Sequence, residues 1–219
     1  MIITRSRDYK TILNDIGKFR NVILIGCGRC ATSCRTGGIE QIEVMRQKLI
    51  HSGKKIIYSN VIEAPCDERL VRAELRKISF TSDDVILSMT CGSGTSVLSD
   101  LSSVPVISAL DTMFLGAIKR IGVYEERCTM CGDCVLDRTM GICPVTRCSK
   151  GLLNGPCGGS CNGKCEVDQE RDCAWNLIYE NLKKFDRLDL LEDYFQPKNF
   201  SRIIRPQKIT DKDGYKGKT

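Results

Sequence analysis

The first half of the chain alternates short apolar runs with amphipathic stretches. Four runs have the length of buried strands: residues 21–25, 54–61, 84–89 and 104–108. Helical periodicity occurs at residues 8–19, before the first run. It occurs again at residues 39–50, between the first and second runs, and at residues 67–78, between the second and third runs. Apolar strands that alternate with helices form βαβ units with a parallel sheet covered on both faces. The pattern therefore predicts an α/β domain, a parallel sheet flanked by helices, over residues 1–122.

The apolar pattern fades after Gly122 and returns at residues 174–195, which predict a C-terminal helix. The stretch between them, residues 128–173, is rich in glycine, poor in apolar residues and contains nine cysteines. Such a segment cannot bury enough apolar surface to offset the entropy lost on ordering. We therefore predict that residues 123–196 form an irregular, Cys-rich metal-binding domain, in which thiolate–metal bonds hold the chain.

Charge is concentrated at the end of the chain. Residues 197–219 contain seven Lys or Arg and two Asp, whereas the whole chain carries a net charge of +6. This segment has almost no apolar pattern, and we predict a basic, flexible tail. The rest of the chain is close to neutral and has no basic stripe with interleaved aromatic residues, so we expect no nucleic-acid partner.

The chain contains 14 cysteines, which is several-fold above ordinary usage. Their role depends on whether the protein is exported or stays in the cytoplasm. The first 19 residues carry charges where a signal peptide needs an apolar stretch, and no apolar run approaches the length needed to cross a bilayer. We therefore expect a cytoplasmic protein with no membrane partner. Structural disulfides are rare in that compartment, so clustered cysteines indicate metal binding or redox chemistry.

Five cysteines in the first half follow the predicted strands. Because the carboxyl ends of parallel strands share one edge of a sheet, their loops are expected to converge, and four of the five are predicted to bind one cluster. A competing interpretation is a dinucleotide loop, since Gly26-x-Gly28-x-x-Ala31 follows a strand. The second strand lacks the expected terminal acid, and three cysteines in a phosphate loop would be unexplained. A redox dithiol of Cys30 and Cys34, or plain core cysteines, are further alternatives. The five cysteines are Cys27, Cys30, Cys34, Cys66 and Cys91.

The remaining nine cysteines are predicted metal ligands. Cys128-x-x-Cys131-x-x-Cys134 has the spacing that opens the cluster-binding run of bacterial ferredoxins, although no cysteine stands at the fourth ferredoxin position. Later cysteines at four-residue steps also suit tetrahedral Zn²⁺, so spacing does not separate iron–sulfur from zinc. The full set is Cys128, Cys131, Cys134, Cys143, Cys148, Cys157, Cys161, Cys165 and Cys173.

No catalytic residue is predicted. The single histidine, His51, lies near the end of a predicted helix with no second histidine in the chain. Serine, histidine and aspartate show no triad-like grouping, and no carboxylate pair is placed for acid–base work. The sequence therefore indicates thiolate–metal chemistry without substrate machinery of its own.

Several cysteine motifs occur in one order over residues 15–195, and together they resemble the MetV family, the small iron–sulfur subunits of acetogen-type methylenetetrahydrofolate reductases. This module is also described as the reductase's C-terminal, "zinc-binding" domain. The motifs are Gly26-Cys27-Gly28-Arg29-Cys30 with Cys34 and Gly37-Gly38, Ala64-Pro65-Cys66-Asp67, Met89-Thr90-Cys91-Gly92, the Cys128 run, Cys148 to Gly159, and Gly163 to Tyr179.

The resemblance implies an electron-transfer subunit that passes electrons to the flavin of a MetF-like catalytic subunit, which reduces 5,10-methylenetetrahydrofolate to 5-methyltetrahydrofolate. It implies two or more iron–sulfur clusters of the [4Fe–4S] type, no flavin in this chain, and a further protein or complex as electron donor. Two alternatives remain open. The cysteines could hold only structural zinc in an interaction subunit, or one site could hold Zn²⁺ beside the clusters.

Overall fold

A computed structural model describes residues 1–210 of the chain. These residues belong to two compact units, Met1–Glu125 and Glu126–Thr219. The boundary follows from the distribution of apolar residues, because the long buried runs all lie in the first unit. Of the helices in residues 1–210, none has the length and apolar character needed to cross a membrane.

The first unit is built on a parallel sheet, which confirms the predicted fold class. Its strands are β2 (Asn21–Cys27), β3 (Lys55–Ile62), β4 (Asp84–Met89) and β5 (Val106–Ser108), in the order β3-β2-β4-β5. All three pairings are parallel, and Asn21 lies opposite both Lys55 and Asp84. Every residue of β4 is buried, as the unbroken apolar run predicts for a strand covered on both faces.

Helices cover both faces of this sheet. They are α1 (Tyr9–Asp15), α2 (Cys30–Ser33), α3 (Ile39–His51), α4 (Glu68–Leu75) and α5 (Gly92–Leu101). Successive residues of β2 enter two different cores: Leu24 packs with Leu49 of α3, and Ile23 packs with Val71 of α4. The alternation follows from the two-residue period of a strand. Helix α1 ends four residues before the predicted end at Phe19, and Asp8 caps its start by accepting the Thr11 N–H (3.1 Å).

A second, three-stranded sheet in this unit was not expected from the sequence. Strands β1 (Ile2–Ser6), β6 (Leu110–Arg120) and β7 (Val123–Cys128) lie in the order β1-β6-β7, with β1 antiparallel to β6. Strand β6 escaped detection because it shows no apolar alternation: only Leu110 and Gly116 are buried. Gly116 is needed for the pairing, since a Cβ there would lie 2.2 Å from the Glu125 carbonyl oxygen.

The second unit is mostly irregular. Its helices are α6 (Pro144–Arg147) and α7 (Ala174–Lys184), with short 3₁₀ helices at Leu188–Leu191 and Phe200–Ile203. The predicted helix over residues 174–195 is therefore too long. The helix ends before Asp186, whose φ of 54° belongs to the left-handed region that a right-handed helix cannot continue through. A small core joins Trp175, Ile178 and Leu182 to Cys173.

Part of the basic segment after residue 196 contacts the rest of this unit. The Lys198 ammonium donates to the Asp133 carbonyl oxygen, and the Arg202 guanidinium pairs with the Asp133 carboxylate (2.8 Å). We predicted flexibility for residues 197–219, and of these residues 211–219 lie outside the described part of the chain.

Candidate metal centres

The loops that carry the first five cysteines follow the carboxyl ends of β2, β3 and β4. Cys27 ends β2, and Cys30 begins α2 immediately afterwards. Cys66 lies in the turn between β3 and α4, and Cys91 is the residue before α5. Because these strands are parallel neighbours, their loops open at one edge of the sheet, as the sequence predicts for a ligand site.

Close backbone contacts hold these loops against one another. The Gly28 N–H donates to the Ile62 carbonyl (2.8 Å), which joins the loop after β2 to the end of β3. A Cβ on Gly28 would lie 3.1 Å from the Glu63 Cα, and one on Gly26 would lie 2.4 Å from the Gly37 carbonyl oxygen. These contacts account for both glycines of the G-x-G motif through packing within the chain, without a bound dinucleotide.

The Cys91 thiol occupies the beginning of α5. It is buried, and its sulfur accepts hydrogen bonds from the backbone N–H groups of Gly94 and Ser93. Burial raises the pKa of the Cys91 thiol, the N–H groups oppose this shift, and the nearby thiols of Cys30 and Cys27 raise the pKa further. The three sulfurs are therefore close enough to interact electrostatically, and a metal cation between them would reverse the balance toward thiolate.

The other two cysteines of this group are placed differently. Cys34 is buried, and its thiol contacts the Ile2 carbonyl oxygen at 3.7 Å. Cys66 is exposed. The Cys27 sulfur accepts the Arg29 N–H at 3.4 Å, an N–H···S contact of the kind that metal-bound thiolates make. Cys27, Cys30 and Cys91 thus follow neighbouring strand ends, and their thiols interact electrostatically.

A strand outside the predicted sheet helps to position this edge. The Thr112 hydroxyl of β6 accepts the Gly92 N–H at 2.7 Å, directly after Cys91. The sequence carried no signal for this contact, because Thr112 belongs to the strand without apolar alternation. Arg29 and Glu63 form an exposed ion pair at the same edge.

Four cysteines of the second unit line one small cavity. Its volume is about 20 Å³, and Trp175 forms part of its wall. The indole N–H donates to the Leu152 carbonyl (3.0 Å), which fixes the ring. Trp175 therefore packs beside these four cysteines. The four cysteines are Cys148, Cys157, Cys165 and Cys173.

Cys165 has the surroundings of a stabilised thiolate. A hydrogen bond joins its sulfur to the Ser149 hydroxyl (3.6 Å), and the backbone N–H of Val167 also points at the sulfur. The Ser149 hydroxyl, followed by the Val167 N–H, lowers the pKa of the Cys165 thiol. The Cys157 thiol contacts the Glu166 carboxylate at 3.5 Å, and Lys150 pairs with that carboxylate.

Five predicted ligands of the second unit lie outside this cavity. In the Cys128 run, the Met130 N–H donates to the Cys128 sulfur (3.2 Å), and the Cys131 thiol contacts the Asp133 carbonyl (3.6 Å). Met130 and Gly132 both have positive φ, so the backbone of this loop turns sharply at both residues. The structure does not identify a fourth ligand for this run. The five residues are Cys128, Cys131, Cys134, Cys143 and Cys161.

The donor set suits thiolate-bound metal. All 14 cysteines lie among residues 1–210, and all of them are free thiols. Within that part of the chain, no three or more His, Cys, Asp or Glu side chains already stand at metal-binding distances. His51 bonds the Gln47 carbonyl (2.9 Å) on α3 and joins neither group.

The fold and these thiol groups define an α/β protein with an appended Cys-rich unit. Residues 107–201 match the family model described as methylene-tetrahydrofolate reductase C terminal. The match includes all nine cysteines of the second half and none of the first five. Over this region the chain is similar to the C-terminal domain family of methylene-tetrahydrofolate reductases. Comparisons with curated proteins and with solved structures find no match.

Proposed function

We propose that this chain is the electron-transfer, iron–sulfur subunit of a methylenetetrahydrofolate reductase complex. It would pass electrons to the flavin of a MetF-like catalytic subunit, which reduces 5,10-methylenetetrahydrofolate to 5-methyltetrahydrofolate. The observation that carries the proposal is the reductase-family match over a region that contains nine free cysteines. The lack of a predicted catalytic group agrees with a partner that performs the chemistry.

In the first unit, Cys27, Cys30 and Cys91 would hold one cluster, with Cys34 or Cys66 as the fourth ligand. The proximity of the first three thiols supports this assignment. A bound iron–sulfur cluster supplies reversible one-electron transfer. The chain's own contribution is to hold the thiolates at a sheet edge and to direct the Ser93 and Gly94 N–H groups at the Cys91 sulfur, which stabilises negative charge there.

In the second unit, the cavity lined by Cys148, Cys157, Cys165 and Cys173 is the second proposed site. The lowered pKa of the Cys165 thiol favours the deprotonated form that any metal requires. The Cys128 run would supply ligands to a further cluster, for which the spacing is the support. Cys143 and Cys161 stay candidate ligands in the same unit.

The second candidate function is a zinc-stabilised interaction subunit without electron relay. The observation that favours zinc is that four cysteines line one small cavity. Four thiolates are also a common structural zinc set. A mixed protein, with clusters elsewhere and Zn²⁺ in this cavity, would combine both observations.

Metal analysis after anaerobic purification separates these alternatives. For electron relay we expect about eight or more iron atoms per chain, a similar amount of acid-labile sulfide, and broad visible absorption that bleaches on reduction. A mixed protein would add about one zinc per chain. Zinc without iron or sulfide in anaerobically prepared protein would contradict electron transfer and support the zinc-stabilised interaction subunit.

The proposed partner is tested with a flavoprotein. The chain should co-purify with a flavin-containing reductase subunit when both are expressed together. Dithionite-reduced chain, freed of excess reductant, should then bleach the partner's flavin under anaerobic conditions. Complex formation without flavin reduction would favour the scaffold. The electron donor would be found with a related assay, in which a reduced candidate redox protein is mixed with the oxidised chain and bleaching of the chain's visible absorption is measured.

The basic tail supplies a separate test of assembly. We propose that residues 197–219 bind an acidic surface of the partner, because five of the six net positive charges lie there. Deleting these residues should weaken the complex and leave the iron content unchanged. Unchanged affinity for the partner would exclude this role.

A further inference from the structure

The second unit contains a large cleft in addition to the four-cysteine cavity. Its volume is about 930 Å³, and it is formed by α7, the 3₁₀ helix Leu188–Leu191, the segment that follows, and the loop at residues 153–156. Aromatic side chains form much of its wall: Trp175, Tyr179, Tyr194 and Phe195. Tyr179 and Tyr194 are 43% and 66% exposed, so apolar ring surface is available to a binding partner.

The charges in this cleft are predominantly negative. Four acidic residues and one basic residue line it. Asp172 pairs with Lys164 (2.8 Å) and Asp193 pairs with Arg138 (2.9 Å). The carboxylates of Glu180 and Glu192 form no ion pair or hydrogen bond with any residue in the described part of the chain. Two acceptors beside exposed rings therefore have unused capacity for a cation.

One internal contact demonstrates how the cleft holds a cation. The Arg138 guanidinium lies 4.1 Å from the centre of the Phe195 ring and also pairs with the Asp193 carboxylate. A planar cation between a ring face and a carboxylate is stabilised by both. Glu180 and Glu192, beside Tyr179 and Tyr194, offer the same two elements to a cation from outside.

We propose that this cleft is a docking site for a basic peptide segment of a protein partner, with arginine or lysine side chains alternating with apolar ones. The cations would contact Glu180 and Glu192, and the apolar side chains would cover Tyr179 and Tyr194. The argument is charge complementarity combined with exposed aromatic surface. An acidic small molecule, including one with a polyglutamate chain, is disfavoured by the same charges. The proposal does not depend on which metal the cysteines bind.

The probe for this site is a short fluorescein-labelled peptide in which arginine and leucine alternate. Fluorescence anisotropy with the anaerobically purified full chain should give saturable binding that weakens as salt rises. The same peptide with glutamate in place of arginine should not bind. Trp175, the only tryptophan, lines the cleft, so its emission should change on binding; because Trp175 also lines the four-cysteine cavity, loss of this change in the cleft variants is what assigns it to the cleft.

The decisive variant is Glu180→Gln with Glu192→Gln, which keeps side-chain shape and removes both charges. It should weaken binding about three- to tenfold, the effect of two partly exposed ion pairs. Tyr194→Ala should weaken binding about threefold through the lost ring. The matched control is Glu40→Gln with Asp100→Asn. These are two exposed acids of the first unit, and they change the net charge equally.

Equal weakening by the control variant would overturn the proposal, because binding would then report net charge alone. Absence of binding to the wild-type chain, or equal binding of the glutamate peptide, would overturn it as well. If the wild-type chain instead formed a dimer that the Glu180→Gln, Glu192→Gln variant abolished, the occupant would be a second copy and a separate partner would be excluded. Selective weakening by the cleft variants, with a change in Trp175 emission, supports it.

Discussion

Gly37 lies against the backbone of Met89 so closely that a Cβ atom on Gly37 would be 1.9 Å from the Met89 carbonyl oxygen. Gly37 also accepts the Cys27 N–H through its carbonyl oxygen (3.0 Å). Met89 ends β4 two residues before Cys91. Gly37 therefore contacts both the backbone of Cys27 and the end of the strand that precedes Cys91.

Replacing Gly37 with alanine should separate these two loops. We expect Gly37→Ala to lower the free energy of unfolding by about 1–3 kcal/mol, since the opposing atom is backbone and cannot rotate away. The variant should also bind less metal in the first unit, which would be measured as a lower iron content per chain after anaerobic purification. The control is Gly53→Ala, where φ is 79° but nothing lies within 4 Å of the added methyl. Its cost should be about 1 kcal/mol, from backbone conformation alone, with normal iron. Equal iron loss in both variants would refute the steric explanation.

Glu74 is the centre of a buried polar network in the first unit. It is 6% exposed and accepts hydrogen bonds from the Tyr58 hydroxyl, the Asn60 amide and the Lys77 ammonium (2.7 Å for Lys77). Burial acts to raise the pKa of the Glu74 carboxyl, but the hydrogen bonds from Asn60, Lys77 and Tyr58 outweigh it, so the pKa is lowered. Burial and the bond to Glu74 raise the pKa of Tyr58 to about 12.

Glu74→Gln should therefore destabilise the first unit in a pH-dependent way. At neutral pH we expect a loss of about 1–3 kcal/mol, because charged hydrogen bonds are replaced by neutral ones and one donor is left facing an amide. A carboxyl with a lowered folded pKa stabilises the fold above its unfolded value, near 4.5, and loses that contribution as the pH falls through the folded pKa. The difference between wild type and variant, measured by urea unfolding, should shrink below pH 4.5.

The exposed pair on the same helix provides the control for that experiment. Glu68→Gln removes a contact with Arg72 (3.1 Å) in which both side chains are more than half exposed. It should change stability by about 0.5 kcal/mol or less. A pH-independent loss in Glu74→Gln would mean that side-chain shape, and not charge, is responsible.

The sequence predicted the parallel sheet well because its central strands are buried on both faces. The predicted bounds of β4, residues 84–89, equal the observed ones, because the strand is a continuous run of six buried residues. Asp67 caps α4, where its side chain accepts the Arg69 N–H (2.9 Å). Strands β6 and β7 could not be predicted, because their exposed and charged residues leave no two-residue apolar period. Strand β1 lacks that period as well, because its two buried residues, Ile3 and Thr4, are adjacent.

In the candidate sites, too, some groupings follow from sequence patterns and others depend on tertiary contacts. The parallel topology that the apolar runs predicted places the loops with Cys27, Cys66 and Cys91 at one edge of the sheet. The grouping of Cys148 with Cys173 does not follow from spacing, because the chain between them is irregular and its path is set by tertiary contacts. The hydroxyl of Ser149 beside Cys165 is likewise a contact between residues 16 positions apart. No local pattern encodes it.

Two cysteines four positions apart allow the four-cysteine cavity to be tested. Cys157 lines it and Cys161 does not, although both residues are exposed. We expect Cys157→Ser to remove the metal of this cavity, because serine replaces a strong thiolate ligand with a weak one, and to lower the thermal midpoint of the second unit. Cys161→Ser should keep that metal. Zinc and iron per chain, measured on both variants prepared side by side, decide the matter. Loss of the same metal from both would place Cys161 among the ligands and contradict the grouping.

Asp133 connects the Cys128 run to residues 198–202. Its carbonyl oxygen accepts the Lys198 ammonium, whose side chain is only 7% exposed, and its carboxylate pairs with Arg202 (2.8 Å). We expect Asp133→Ala to release this segment and to raise the rate of tryptic cleavage after Arg202 about threefold. That figure corresponds to the ~0.5–1 kcal/mol of a partly exposed ion pair.

The matched control for Asp133→Ala is Asp189→Ala, which removes a comparable pair with Arg187 (3.1 Å) in the same unit but touches nothing after residue 196. Its cleavage rate after Arg202 should equal that of wild type. Because the wild-type pair is screened by salt, raising the ionic strength should bring wild type toward Asp133→Ala and leave the variant unchanged. Cleavage that is equally fast in wild type and Asp133→Ala at low salt would mean that the carboxylate does not hold the segment, and that the bond from Lys198 to the Asp133 backbone is sufficient without it.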